Sequence, residues 1–435
     1  MENADVLIIG AGAAGLMAAY TLAKSGKKVT VLEACNRTGG RIRTIDNASF
    51  FNRAELGAEF VHGDLPVTLS LLQKAGIPYH PAGGDMWRFQ DGNLTKDAGM
   101  IADWDVLMEK LDALQQDMSL NDFLEQYFAD TRYDELKSSV LNYAAGYDTS
   151  DPARVSTMAL RREWQNEDEG AQHRIEGGYC RLVQYLVNEI KQAGSMVYLN
   201  APVTHINWQA GLAKATTLDK EVYEAAKVIL AIPLGVWQAA PGNKGVIAFE
   251  PPIPQQQQAL QNMGFGAVIK VLLQFDEIFW EDILTTERAG SNLKNMAFLF
   301  SNEAIPTWWT QAPEQLPLLT GWLGGATAAQ WKDKPVEEIL QLSLESLAHI
   351  FNRSYNDIKG KLIASHVANW TADPYIYGSY AYDTIHTAAS LAVLNQPVEN
   401  TLYFAGEFMY EGTAMGTVEA ALTSGRDVAS GILNR

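Results

Sequence analysis

Gly10-Ala11-Gly12-Ala13-Ala14-Gly15, near the start of the chain, has the G-x-G-x-x-G spacing that suits a pyrophosphate. Gly10 permits a tight turn, Gly12 lets backbone approach a phosphate, and Gly15 lets a helix pack closely on a strand. Glu33 follows 18 residues after Gly15. Its carboxylate can accept both ribose hydroxyls of an adenosine, and it would repel a 2′-phosphate. Next, Arg37-Thr38-Gly39-Gly40-Arg41 sets two glycines between two cations, a second loop able to approach phosphate. A nicotinamide enzyme would not need that second loop. The plainer alternatives are a structural βαβ turn and surface charge beside it. Lys270 stands among Val268, Ile269, Val271 and Leu272. Strand alternation puts it on the face of Val268 and Leu272, where a lysine is costly unless water or a partner holds it. The alternative is an edge-strand lysine turned to solvent.

These residues need particular elements beneath them. Val6-Leu7-Ile8-Ile9 reads as a strand covered on both faces, followed by the glycine turn, a helix through Lys24, and a second strand over Val29-Thr30-Val31-Leu32. Residues about 64 to 170 are mostly helical in pattern, with Ser119-Leu120-Asn121-Asp122 opening one helix as a capping box variant. Leu182, Val183, Leu186, Val187 and Ile190 recur at helical spacing, with Gly194 as the stop. Val197-Tyr198-Leu199 and the run from Lys227 to Leu234 return to a sheet, and Pro251-Pro252-Ile253-Pro254 marks the departure from it. An alternating strand from Val268 to Phe275 follows, then a helix from Pro335, as its first residue, to about Phe351. The chain re-enters the nucleotide unit at Leu402-Tyr403-Phe404-Ala405-Gly406-Glu407, so two domains are interleaved.

Composition narrows the function classes. With 435 residues, 47% hydrophobic and 19% charged, the chain can bury a large core. Its 33 basic and 51 acidic side chains give a net charge of -18, which disfavours a nucleic-acid partner and would attract cationic substrates. Two cysteines, Cys35 and Cys180, exclude a disulfide framework and suit a reducing compartment. The seven histidines show no metal-ligand spacing, and no serine triad is indicated. The apolar stretch from Val6 to Ala23 is broken by glycines and divides into strand, turn and helix, so no membrane span is expected. The polar, acidic start lacks a secretory leader's basic region, and a cytoplasmic location is expected.

Glu33-Ala34-Cys35-Asn36-Arg37-Thr38-Gly39-Gly40-Arg41 resembles the E-x-x-x-R-x-G-G-R segment of the flavin-containing amine oxidases. The resemblance extends over nearly the whole chain, through Glu176-Gly177-Gly178-Tyr179, Ala231-Ile232-Pro233-Leu234-Gly235-Val236, Phe265 to Lys270 and Phe404-Ala405-Gly406-Glu407. It implies an α/β protein with a Rossmann-type FAD-binding domain over 1–63, 171–250 and 396–435. A mixed α+β substrate domain would take 64–170 and 251–395. It implies non-covalent FAD, held by Gly10, Gly12, Ala14, Gly15, Glu33, Ala34, Arg37, Gly40, Arg41, Gly57, Ala58, Glu59, Val203, Trp370, Gly406, Glu407, Thr417 and Val418. Within that set, Glu407 would accept from ribityl or ribose hydroxyls. The helix beginning near Thr417 would aim its N–H groups at the flavin's carbonyl edge.

The catalytic residues so implied are Lys270, Tyr380, Trp370 and His62. The matching lysine of the family holds a water against flavin N5 and assists reoxidation by oxygen. Aromatic residues at the places of Trp370 and Tyr380 flank the substrate amine, although either could be a core residue. Gly57-Ala58-Glu59-Phe60-Val61-His62-Gly63 is similar to the G-A-x-W-x-H-G segment of polyamine oxidases, with Phe60 for the tryptophan. There His62 could bond a substrate nitrogen and Glu59 a distal ammonium, and Phe60 stands where L-amino-acid oxidases carry an arginine. Monoamine oxidases attach flavin through a cysteine at the place of Ser379 and set a second aromatic wall at that of Thr417. The activity implied is oxidation of a primary or secondary amine to an imine by hydride transfer to the flavin, with oxygen reduced to hydrogen peroxide. Small-molecule amine and O2 are the expected partners. An L-amino-acid oxidase, another related flavoenzyme, and a flavin-bound interaction protein without turnover remain as alternatives.

Overall fold

The structure, a computed structural model, describes residues 4–46, 53–63, 65–96, 101–146, 148–166, 172–283 and 292–435. Strand Ala4–Ile9 is flanked in parallel by Val29–Leu32 and Val222–Leu230. Met196–Tyr198 continues the parallel sheet on one side, and Leu402–Phe404 pairs in parallel with Val222–Leu230. Antiparallel strands Leu212–Thr217 and Val203–Gln209, then Ala248–Glu250 in parallel with the latter, bring the sheet to eight strands among the described residues. The unbroken apolar run of the first strand has a direct cause. Val6 and Ile8 enter one core, with the helices Ala13–Lys24, Cys180–Gln192 and Val418–Leu433, while Leu7 and Ile9 enter another on the opposite face. Each such fully buried side chain contributes about 1.5–3 kcal/mol. The first and last of these helices meet closely: a Cβ on Gly425 would lie 2.1 Å from the Ala14 carbonyl oxygen.

A second sheet of seven strands runs in the order Leu362–Asn369, Val268–Phe275, Leu318–Gly324, Thr307–Trp309, Met296–Ser301, Asp85–Gln90, Asn93–Lys96. Ile269, Val271, Leu273 and Phe275 pack on one face beneath the helix Val336–Ile350. Val268 and Leu272 point the other way, with Leu56 and Trp370. Helices Trp104–Asp112, Leu120–Tyr127, Asp134–Gly146 and Thr157–Asn166 carry a core of their own, joined by Tyr382. Ser119 caps the second of them, accepting from the Asp122 N–H at 3.2 Å.

Several elements depart from expectation. Residues 79–96 form strands, not helix: Trp87 and Phe89 alternate into the core of the second sheet, and pairing with Met296–Ser301 outweighs the local pattern. Strand Val268–Phe275 has no solvent face, because strands pair on both edges and cores cover both sides. The return strand ends at Leu230, and Pro233 opens a short helix. Pro335 is the cap before the helix, not its first residue. The helix Pro66–Ala75 buries Val67, Leu71 and Leu72 in the first core with the nucleotide-side helices, although the sequence division puts it in the substrate domain. The divisions expected at 63/64 and 170/171 fall on residues outside those described. No described helix is long and apolar enough to cross a membrane, and no three described His, Cys, Asp or Glu side chains cluster as metal ligands.

Candidate active site

The glycine turn leaves the start of the helix Ala13–Lys24 open. Gly12 caps it without a side-chain bond, and no acid stands in its first turn. The unpaired N–H groups and the positive helix end therefore face outward, ready for an anion. Gly10 lies at φ +105°, and a Cβ on Gly15 would be 2.0 Å from the Gly10 oxygen. A Cβ on Gly12 would meet nothing within 4 Å, so there is room in front of it. The second glycine pair packs against the first turn, with Gly39 N–H donating to Ala11 O at 2.8 Å. Glu33, buried, accepts from the Ala11 N–H at 2.7 Å and the Cys35 N–H at 2.9 Å. Burial raises its pKa, and those two N–H groups oppose the rise. The Cys35 thiol also bonds it, so of a carboxylate's about four acceptor positions one remains for a ligand. Ala34 is half-buried beside it.

The two arginines have different tasks. Arg37 folds inward, donating to the carbonyls of Thr38, Gly40 and Ile42 at 3.3, 2.7 and 3.3 Å, and so braces its own loop. Arg41 crosses to the end of the chain, donating to Ser379 O and Glu407 Oε1, both at 2.7 Å. Glu407 is buried, and its other oxygen accepts from the Ala381 N–H at 3.2 Å. Gly406, also buried, donates its N–H to Ser424 Oγ. Gly57 and Ala58 run beside Arg41, and a Cβ on Gly57 would be 1.8 Å from Arg41 O.

Lys270 is 1% exposed. Its Nζ donates to Glu59 Oε2 at 2.6 Å and to Gly57 O at 3.2 Å, and it sits 5.1 Å from the ring centre of Trp309. Glu59 also accepts from Arg174, from Trp309 Nε1 at 3.1 Å and from Gln311 Nε2 at 3.3 Å. Desolvation raises its pKa, but Lys270 and Arg174 outweigh it and hold the carboxyl at about 2. The distal-ammonium role expected of Glu59 meets an obstacle here: both of its oxygens are already engaged by the protein.

On the same sheet face as Lys270, cross-strand register places Trp322 beside it, then Thr307, then Phe300. Trp309 and Phe298 form the adjacent row. Phe60 meets Phe298 and Trp309 at ring separations of 5.8 and 6.1 Å, and Trp309 meets Trp322 at 6.0 Å. Trp322 stacks on Tyr380, 6.3 Å apart and 22° from parallel. Phe60, Phe298, Phe300, Trp322 and Tyr380 all keep partial exposure, as the lining of an open space does. The ring facing Tyr380 is therefore Trp322, which no motif announces; only the register opposite Lys270 could have found it. Trp370, expected as the partner, is buried and donates Nε1–H to Leu56 O at 2.7 Å. His62 keeps exposed surface, the protein crowded around its ring pushes its pKa down, and the ring lies 5.9 Å from Phe60.

Ser379 is turned away, its Oγ 2.7 Å from Thr149 Oγ1. Thr417 caps the helix Val418–Leu433, accepting from the Ala420 N–H, and Val418 is half-buried. Val203, buried, begins a strand of the first sheet. Glu419 went unrecognised in the sequence: it is buried and accepts from the N–H groups of Val67 and Thr68 and the Thr68 hydroxyl, capping the helix Pro66–Ala75, whose own Leu65 cap makes no side-chain bond. Beside Tyr380 lies a cleft of about 50 Å³, bordered by Arg162, Asp383 and Met415. It has room for water but not for a substrate.

A dinucleotide cradle on one sheet and a buried, paired lysine under an aromatic face of another define a cofactor-dependent oxidoreductase. The model of the flavin-containing amine oxidoreductases matches residues 13–433, and the chain belongs to that family. Membership implies FAD, and the open cradle at Gly12, the buried Glu33 and the Arg41–Glu407 pair fit such a group. The chain is 28% identical to human lysine-specific histone demethylase 2, across 93% of this chain but 50% of that protein. It is 26% identical to rice (Oryza sativa subsp. japonica) polyamine oxidase 4, across 97% of this chain and 87% of the relative. The chain thus spans about half the length of that demethylase. In fold it is similar to putrescine oxidase bound to putrescine, with TM-score 0.82, 22% identity and full coverage of both chains. It is also similar to cyclohexylamine oxidase from Brevibacterium oxydans IH-35A, with TM-score 0.80, 20% identity and full coverage of both.

Proposed function

We propose that this chain is an FAD-dependent oxidase of a small primary or secondary amine. The observation that carries the reading is Lys270, fully buried, charge-paired and directly across the strand pair from the partly exposed Trp322, which stacks on Tyr380. The amine loses a hydride from its α-carbon and a proton from nitrogen, becoming an imine that water hydrolyses; dioxygen takes up two electrons and two protons to give hydrogen peroxide. Bound FAD supplies the two-electron acceptor between these halves. The protein's part is placement and charge. The glycine turn and helix start would hold the pyrophosphate, Glu33 would take the ribose hydroxyls, and Glu407, oriented by Arg41, would accept from the ribityl chain. The helix after Thr417 would offer its positive end to the electron-rich ring of the bound flavin. Trp322 and Tyr380 exclude water and orient the α-C–H bond. An ammonium has three donors; two of Lys270's go to Glu59 and Gly57, leaving one for a water in front of the sheet face. His62, which keeps exposed surface beside Phe60, offers a ring nitrogen to the substrate.

The test is an anaerobic panel of monoamines, diamines, N-acetylated polyamine and an N-methyl-lysine peptide, scored by bleaching of the yellow protein. Bleaching by a small amine, with peroxide on admitting air, supports the reading. Bleaching by the peptide alone would move the chain to a demethylase, and a chain that no amine bleaches would end the proposal.

A further inference from the structure

The structure assigns to Glu59 a role in setting the charge state of Lys270: it is a positioning residue that keeps the lysine a cation, so that reaction with dioxygen is steady across pH. The inference rests on the oxidase reading proposed above for its meaning, though not for its test. The Lys270 side chain is 1% exposed and its Nζ lies 2.6 Å from Glu59 Oε2, a distance at which the carboxylate favours the charged lysine. Glu59 is itself held from behind. Arg174 and Gln311 occupy Oε1, the Trp309 indole N–H bonds Oε2, and Arg174 is anchored to Thr310 O at 2.9 Å and stacked 4.4 Å from the centre of Phe60. The carboxylate thus cannot swing away, and its single negative charge stands between two cations.

Among the described residues, the other ionisable groups facing this cluster are few. Glu55 acts electrostatically on both Lys270 and Glu59 from the strand Ala54–Glu55. His366 is one row over on the neighbouring strand Leu362–Asn369, next to Arg43. Arg43 is cationic and His366 is pushed towards its neutral form, so neither can replace the Glu59 charge. Glu55 is itself pushed towards neutrality by burial, and its carboxylate is bonded to Thr44 and Tyr179. With Glu59 made neutral, Lys270 would lie desolvated beside Arg174, and both conditions drive off its proton. The oxygen reaction would then lose a fixed positive charge where negative charge develops on dioxygen.

Two readouts on the holoenzyme test this. In Glu59→Gln the rate of reoxidation by dioxygen should fall about tenfold per pH unit above a new inflection lying below the ordinary lysine value of about 10.4, while the parent stays level over the same range. Independently of turnover, the folded-to-unfolded ratio of Glu59→Gln, from urea titrations, should rise about tenfold per pH unit between that inflection and about pH 10.4, because the unfolded lysine then binds the extra proton. That rise should vanish in Glu59→Gln/Lys270→Met. Glu59→Asp, which keeps the charge but draws it back by roughly one bond length, ~1.5 Å, should restore the level profile in part. A level rate and a stability slope equal to the parent's in Glu59→Gln would overturn the assignment, and if Glu59→Gln does not fold, profiles identical to the parent's in both readouts for Glu59→Ala, which also removes the charge, would do the same. Failure of every amine to bleach the flavin would sink the oxidase reading instead and leave the stability measurement to decide the role of Glu59.

Discussion

Replacing Lys270 by methionine isolates the ammonium from the volume it fills. Methionine keeps an unbranched apolar stem of similar size, so the cavity left in the sheet face is small and packing changes cost little. What disappears is one partner of a buried ion pair, a loss of about 3–5 kcal/mol when the remaining charge is uncompensated. Glu59 is not left alone, because Arg174, the Trp309 indole N–H and Gln311 still bond it. The cost should therefore sit at the lower end, about 3 kcal/mol, read as a fall in the urea midpoint at unchanged slope. The kinetic consequence should be larger and confined to one half of the reaction. FAD should stay bound, since Lys270 bonds only Gly57 and Glu59 of the residues expected to hold it, and the glycine turn, Glu33 and the Arg41–Glu407 pair are untouched. Anaerobic bleaching by amine should change little, while the second-order rate with dioxygen falls about 100-fold, the usual effect of removing one preorganised donor. Stopped flow separates the two halves directly. An oxygen rate within twofold of the parent would remove Lys270 from the chemistry, and an unchanged urea midpoint would show that the Glu59 pair contributes nothing to stability.

Three further expectations follow from other parts of the molecule. Burial pushes the Glu55 carboxyl from 4.5 up to about 7, so its contribution to stability is complete below pH 4.5 and lost as pH rises through 7; the interval is worth about 3 kcal/mol. Glu55→Gln should flatten that part of the stability–pH curve, and a curve parallel to the parent's would show the shift to be absent. Gly15→Ala puts a Cβ 2.0 Å from Gly10 O and should cost about 1–3 kcal/mol and release FAD on dialysis, seen as loss of the visible spectrum; a stable yellow variant would refute the close packing of helix and turn. Trp322→Ala removes the ring stacked on Tyr380, an interaction of about 0.5–1.5 kcal/mol before any effect on water exclusion. It should lower kcat/KM for amine at least about tenfold with the oxygen rate intact, and equal loss in both half-reactions would argue against a substrate-side role.

The glycine turn was legible in the chain because its parts act locally: strand, turn, helix and acid are consecutive, and each has its own steric or electrostatic reason to be there. The same holds for the Ser119 cap, the helix stop at Gly194, where φ is +80°, and the face of the strand that bears Lys270. Where local pattern misled, longer-range pairing was the cause, as in residues 79–96, whose aromatic alternation had meaning only beside Met296–Ser301.

The site itself divides along the same line. Residue types and short spacings are enough to call for a nucleotide and to single out Lys270 as an unusual lysine, since those arguments need only neighbours in sequence. They cannot say that Glu59, 211 positions away, neutralises Lys270, that Arg174 braces Glu59 from 115 away, or that Trp322 rather than Trp370 faces Tyr380. Nor can they say that Glu419 caps a helix 351 positions distant. Partner choice among buried charges and rings depends on which sheet faces meet and in which register. Those are set by the packing of two interleaved sheets, so only the folded chain decides them.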